Sequence, residues 1–146
     1  MIPTSGKTAV LLLPLAAWTF LGVGRAPAAE DEAPLKVVVH VNFAETGAQG
    51  AGLRSVRSIL EDEPNAQVEV VCHAAGIQLV EQARTSHPDA VASLIEQGVR
   101  FVACENTMRL NAIKKEDLIP GVGAVPSGAL EVVRKQSREG YAYFKP

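Results

Sequence analysis

Two cysteines and three histidines are the side chains of this 146-residue sequence best suited to nucleophilic or metal chemistry. Cys104 has the most suggestive surroundings. It ends the apolar run Val99–Cys104 and opens the polar stretch Glu105-Asn106-Thr107-Met108-Arg109. Backbone amides and the Arg109 guanidinium in such a stretch would favour a thiolate, while Glu105 would oppose it. Cys72 closes a different apolar run, Gln67–His73. A disulfide needs Cα atoms within ~7 Å, whereas strands flanking a common neighbour stand about 9–10 Å apart, so two free thiols are expected. By composition alone each would be a small buried hydrophobe.

The histidines give weaker signals. His73 adjoins Cys72, but neighbours in a strand point to opposite faces, so it is not placed to act as a base for that thiol. His40 lies among valines and reads as a hydrogen-bonded structural residue. His87 precedes Pro88 and reads as solvated. No HxH, HExxH or CxxC spacing occurs, so no metal site is expected. Gly47, Gly50 and Gly52 form GxxGxG rather than the dinucleotide GxGxxG, and no Gly-Lys-Ser/Thr follows. That segment reads as a flexible strand-to-helix turn, and no cofactor is expected.

These residues must be positioned by alternating elements. Apolar, β-branched runs predict strands over Lys36–Phe43, Gln67–His73, Val99–Cys104 and Gly123–Val125, with Tyr141–Phe144 at an edge. Helical spacing predicts a helix through Leu53, Val56, Ile59 and Leu60 that Pro64 ends, and a second through Ile77, Leu79, Val80 and Ala83. A third runs from Pro88 through Ala90, Val91, Leu94 and Ile95 to a Gly98 cap. The last starts at an Ser127 N-cap, buries Leu130, Val132 and Val133, and stops at Gly140.

Such alternation predicts an α/β, three-layer, flavodoxin-like domain on a mostly parallel sheet of about five strands. Ligands of these sheets bind beyond the carboxyl ends of the strands. Asn42, Cys72, His73, Glu105, Asn106, Thr107, Arg109 and Ser127 are therefore the pocket candidates around Cys104.

The first 28 residues read differently. Lys7, an apolar run from Ala9 to Val23 and the small residues Ala26 and Ala28 form the pattern of a secretory signal peptide, with cleavage after Ala28. A retained single-span anchor is the alternative. The acidic lead over residues 29–34 reads as a flexible tether, leaving a domain over 35–146. Cleavage removes two basic residues and no acidic one, taking the net charge from -2 to -4. Neither value offers the clustered basic face that nucleic acid calls for. Export would place the domain in the periplasm or outside the cell, with no stable membrane span after cleavage.

The runs Phe101-Val-Ala-Cys-Glu-Asn-Thr-Met-Arg109, Ile113-Lys-Lys-Glu-Asp-Leu-Ile-Pro-Gly121 and Val125-Pro-Ser-Gly128, closed by Gly140-Tyr-Ala-Tyr143, resemble the DsrE/DsrF-like (YchN-like) family. The resemblance covers about residues 35–146. It implies a flavodoxin-like fold, assembly into homotrimers or homohexamers, and a cysteine at position 104 that carries sulfur as a persulfide between donor and acceptor proteins. Two other functions fit the residues: a non-catalytic oligomer binding a small ligand through Asn42, His73, Cys104 and Asn106, and a thiol redox protein using Cys72 with Cys104.

Overall fold

A computed structural model describes residues 33–146. The signal-like segment over 1–28 and most of the lead lie outside the described residues. Five strands, β1 (Lys36–Val41), β2 (Gln67–Cys72), β3 (Arg100–Cys104), β4 (Gly123–Val125) and β5 (Ala142–Phe144), form one sheet in the order β4-β3-β2-β1-β5. Every pairing is parallel. The α/β expectation holds, and β5 is an edge strand as its short, aromatic run predicted.

The helices are shared unequally between the two faces. α1 (Thr46–Asp62), α2 (Pro88–Glu96) and the short α3 (Glu105–Leu110) follow β1, β2 and β3. With a 3-10 segment over Ala74–Val80, they cover the face formed by Val37, Val39, Val41, Val68, Val70, Cys72, Phe101 and Ala103. That is the main core. The opposite face carries Val38, Val71, Val102 and Val125, and a single helix, α4 (Gly128–Glu139), lies over it through Val132. α4 carries the chain from β4 at one edge to β5 at the other.

Several expectations change. Residues Ile77–Ala83 do not form a second α-helix: Ile77 and Val80, three apart, eclipse on a 3-10 segment. Ala74 starts that segment at φ 48°, and Gly76 lies so close to the Val41 carbonyl that no Cβ fits. The glycine-rich stretch is not a flexible turn but the opening of α1. Two of its glycines serve packing: a Cβ at position 50 would stand 3.0 Å from the His87 ring, and one at position 52 would stand 2.7 Å from the Pro146 ring. His87 itself is tied down, its Nε2 donating to the Thr46 carbonyl at 2.9 Å.

On α4, Val132 is buried as expected, but Leu130 and Val133 are 64% and 57% exposed. The helix buries Glu131 and Lys135 instead. Ser127 does cap it, and Gly140 stops it in the left-handed region at φ 74°. No helix among the described residues is long and apolar enough to cross a membrane.

Candidate functional site

Alternation along parallel strands sends every second side chain to one face, so registered neighbours line up across the sheet. Under α4, Val38, Glu69 and Arg100 form one registered row across β1, β2 and β3 and His40, Val71 and Val102 the next, with Lys36 before the first and His73 and Cys104 beyond the second, at the carboxyl tier. Val38, Val71 and Val102 are fully buried and lie between two polar regions of different character.

At the carboxyl tier α4 approaches so closely that a Cβ at position 128 would stand 2.9 Å from the His73 Cβ and 3.2 Å from the Cys104 Cβ. Gly128 therefore lets the start of α4 rest on both residues. Cys104 is 5% exposed and sits immediately before α3, the position at which a thiol meets unpaired helical N–H groups. Burial opposes ionisation of its thiol and is the largest single influence. The backbone N–H of Gly128, the Thr107 hydroxyl and the backbone N–H groups of Thr107 and Asn106 together outweigh it, so the thiol titrates below its ordinary value. The Thr107 oxygen also accepts the Ala74 N–H at 3.0 Å, which leaves its own proton to point at sulfur.

Arg109 plays no part in this. Its Nη2 donates to the Asn106 side-chain oxygen at 2.9 Å, three residues away on α3. Glu105 is exposed and does not figure among the groups that set the thiol. The expected contest between Arg109 and Glu105 is replaced by backbone dipoles, because Glu105–Leu110 is a helix rather than a loop. Ser127 acts one step removed, its Oγ accepting the Leu130 N–H at 3.4 Å to cap the helix that presents the Gly128 N–H. Asn42 follows β1 and is half-buried, with its backbone nitrogen facing Gly76.

Cys72 belongs to the other face. It is fully buried in the main core, and that burial pushes its thiol far up. Both thiols are free. Since Cys72 pairs in register with Ala103, Cys104 points to the opposite side of the sheet, and a redox couple of the two is excluded in this fold.

His73, a pocket candidate from the sequence, is joined at the site by two residues that were not, His40 and Tyr143. His40 and His73 lie with ring planes 10° apart and centroids at 4.8 Å, their Nε2 atoms 2.6 Å from each other. His40 Nδ1 in turn meets the Tyr143 hydroxyl at 2.9 Å. Burial is the main cause that lowers both imidazoles below their ordinary value; the Lys145 charge adds to it, and for His40 so does His73. His40 is thus not an isolated structural histidine. The signal lay in the two-residue period, which puts Val38 and His40, Val71 and His73, and Val102 and Cys104 on one face of their strands. Among the described residues no group of three or more histidine, cysteine or acidic side chains is arranged to hold a metal.

The profile of the DsrE/DsrF-like family matches residues 36–146. A protein of unknown function from Methanobacterium thermoautotrophicum, MTH1491, is similar in structure with a TM-score of 0.73 at 33% identity, over 77% of this chain and 99% of that one. The YchN protein of E. coli superimposes with a TM-score of 0.61 at 18% identity, over 75% of this chain and 99% of that one. No functionally curated protein matches. The match spans every strand and helix just described, Cys104 and its cradle included, and the chain accordingly belongs to the DsrE/DsrF-like family.

Proposed function

We propose that this protein is an exported sulfur carrier that holds a persulfide on Cys104. The observation that supports this reading is the concentration of N–H and O–H groups from Asn106, Thr107 and Gly128 on one buried sulfur at the ligand-binding end of the sheet. A thiolate is both a nucleophile and a leaving group, and the same donors serve it in either role. Cys104 Sγ attacks the outer sulfur of a donor persulfide, R–S–SH. The Sγ–S bond forms, the donor S–S bond breaks, and the electron pair leaves on R–S⁻. In the return step a partner thiolate attacks the outer sulfur and Sγ departs as thiolate. No oxidant or reductant is consumed.

Donor and acceptor are proteins or small thiols in the periplasm or outside the cell. The carrier is read as a homotrimer or homohexamer, for which the exposed Leu110, Leu130 and Val133 supply apolar surface. Ile113, close to Leu110 in the chain, is buried and serves the core.

Intact mass after exposure to glutathione persulfide tests the reading. Wild type gains the mass of one sulfur, reversed by a reducing thiol, and Cys104→Ser gains none. Sulfur bound equally by Cys104→Ser would overturn it. The same spectrum of protein expressed with its leader reports whether residues 1–28 are removed.

A further inference from the structure

The histidine pair is left without a task by the thiolate cradle. Sγ has its donors from the backbone and Thr107, and neither imidazole figures among the groups that set its titration. Yet two histidines and a tyrosine are strung from beside Cys104 to the surface. Tyr143 is 45% exposed, its hydroxyl meets His40 Nδ1, and His40 Nε2 meets His73 Nε2. Among the described residues no protein group hydrogen-bonds His73 Nδ1, and His73 packs with Cys104 against Gly128.

We infer that Tyr143, His40 and His73 form a proton wire to the outer sulfur of a Cys104 persulfide. This rests on the sulfur-carrier reading. The outer sulfur lies about 2.05 Å beyond Sγ, outside the cradle, and so needs its own proton partner. One neutral hydrogen-bonding pattern has His73 Nε2–H donating to His40 Nε2 and His40 Nδ1–H donating to the Tyr143 oxygen, leaving the lone pair of His73 Nδ1 open. In this state His73 takes the proton of Cys104–S–SH at Nδ1. Its Nε2 proton passes to His40 Nε2, the His40 Nδ1 proton passes to the tyrosine oxygen, and the tyrosine proton leaves to water. The chain then stands in the mirror pattern, with every donor and acceptor exchanged and no ring left charged.

The two persulfide states have different uses. Cys104–S–S⁻ repels an incoming thiolate and stores the sulfur. Return of a proton along the wire regenerates Cys104–S–SH, whose outer sulfur a thiolate can attack. Burial and the Lys145 charge hold both rings neutral, which suits a wire that passes protons rather than one that keeps them. The titratable and charged groups facing the pair are Cys104 from β3, Tyr143 from β5 and Lys145 beyond it.

The test uses full-length protein loaded with glutathione persulfide, then discharged with 2-mercaptoethanol and followed by intact mass across pH. His73→Gln is expected to slow discharge by about 10²-fold, the low end for a positioned acid or base, and to flatten its pH profile. Tyr143→Phe, at an exposed position that leaves folding intact, slows it several-fold. Alkylation of the unloaded Cys104 stays at the wild-type rate in Tyr143→Phe, a separation that general damage to the site would not give. Discharge by Tyr143→Phe and His73→Gln with the wild-type pH profile overturns the wire and leaves the carrier standing. Failure of wild type to load any sulfur removes both.

Discussion

The two ends of the sheet face under α4 are built from the same strands and the same helix, yet they treat polar groups in opposite ways. At the amino end, Glu69 is 1% exposed and Lys135 4%, with the ammonium 3.1 Å from the Glu69 carboxyl and 3.0 Å from that of Glu139. Arg134 reaches both Glu131 and Glu139 at 2.6 Å, and Lys135 stacks over the Tyr141 ring at 4.5 Å. Charges there are matched by charges. Burial nonetheless raises the Glu69 carboxyl above its usual range, with Lys135 and Arg100 opposing, and no directed hydrogen bond reaches its oxygens. At the carboxyl end, no counter-ion sets the Cys104 thiol: neutral N–H and O–H donors do. A matched network is closed, whereas a cradle of neutral donors beside a neutral histidine chain can accept a new charge or release one. One end holds the helix, and the other carries the proposed chemistry.

That contrast is breakable. Lys135→Met strikes only the holding end. Removing one partner of a buried pair costs about 3 kcal/mol, to be seen as an earlier urea midpoint. While the variant remains folded, Cys104 should alkylate with the wild-type pH dependence; a shifted dependence would mean that the two ends are coupled.

Gly128→Ala strikes the other end. The added Cβ must push α4 off His73 and Cys104, at a cost of about 2 kcal/mol. Withdrawing the Gly128 N–H also raises the pH at which iodoacetamide reacts with Cys104. Thr107→Val keeps the volume but strips the Ala74 N–H of its acceptor and the sulfur of a hydroxyl donor. The expected loss is about 1–2 kcal/mol, with the alkylation midpoint again moving up.

The smallest effect is a pH slope. His40 and His73 titrate below their ordinary 6.5 in the folded chain, so the unfolded chain binds more protons as the medium turns acid. Their contribution to stability is complete above pH 6.5 and is lost as pH falls through the lowered folded values. The double variant His40→Asn/His73→Asn should lose that part of the acid destabilisation in thermal melts between neutral and mildly acid pH. Retention of the full slope would place its origin in the carboxylates instead.

The strands were legible because continuous runs such as Val37-Val-Val39 suit only a doubly covered strand, and β5 as an edge because its run is short. α4 was legible by its cap and its stop, but not by its buried face. Hydrophobicity assigned Leu130 and Val133 inward, while the partners that draw Glu131 and Lys135 inward, Arg134 and Glu69, act through pairings that periodicity does not encode. Cys104 was legible from its place at a strand end. Its cradle was half legible: the amides were anticipated, but a loop was read where α3 starts, and so Arg109 was given a role that geometry denies it. The His40–His73 contact depends on β1 lying beside β2 with His40 opposite Val71, two residues before His73, a long-range fact invisible to any local window.

β5 pairs with β1 alone, through three residues, and one of them is Tyr143. Edge segments held by so few contacts open at a fraction of the global unfolding free energy. The tyrosine hydroxyl is therefore seated only while the last strand is zipped. Its amides should exchange with deuterium well before those of β2 and β3, and that opening frequency sets an upper limit on how steadily His40 stays connected to water through a defined donor. In this sense a lightly anchored edge strand keeps time for the corner where the chemistry is proposed.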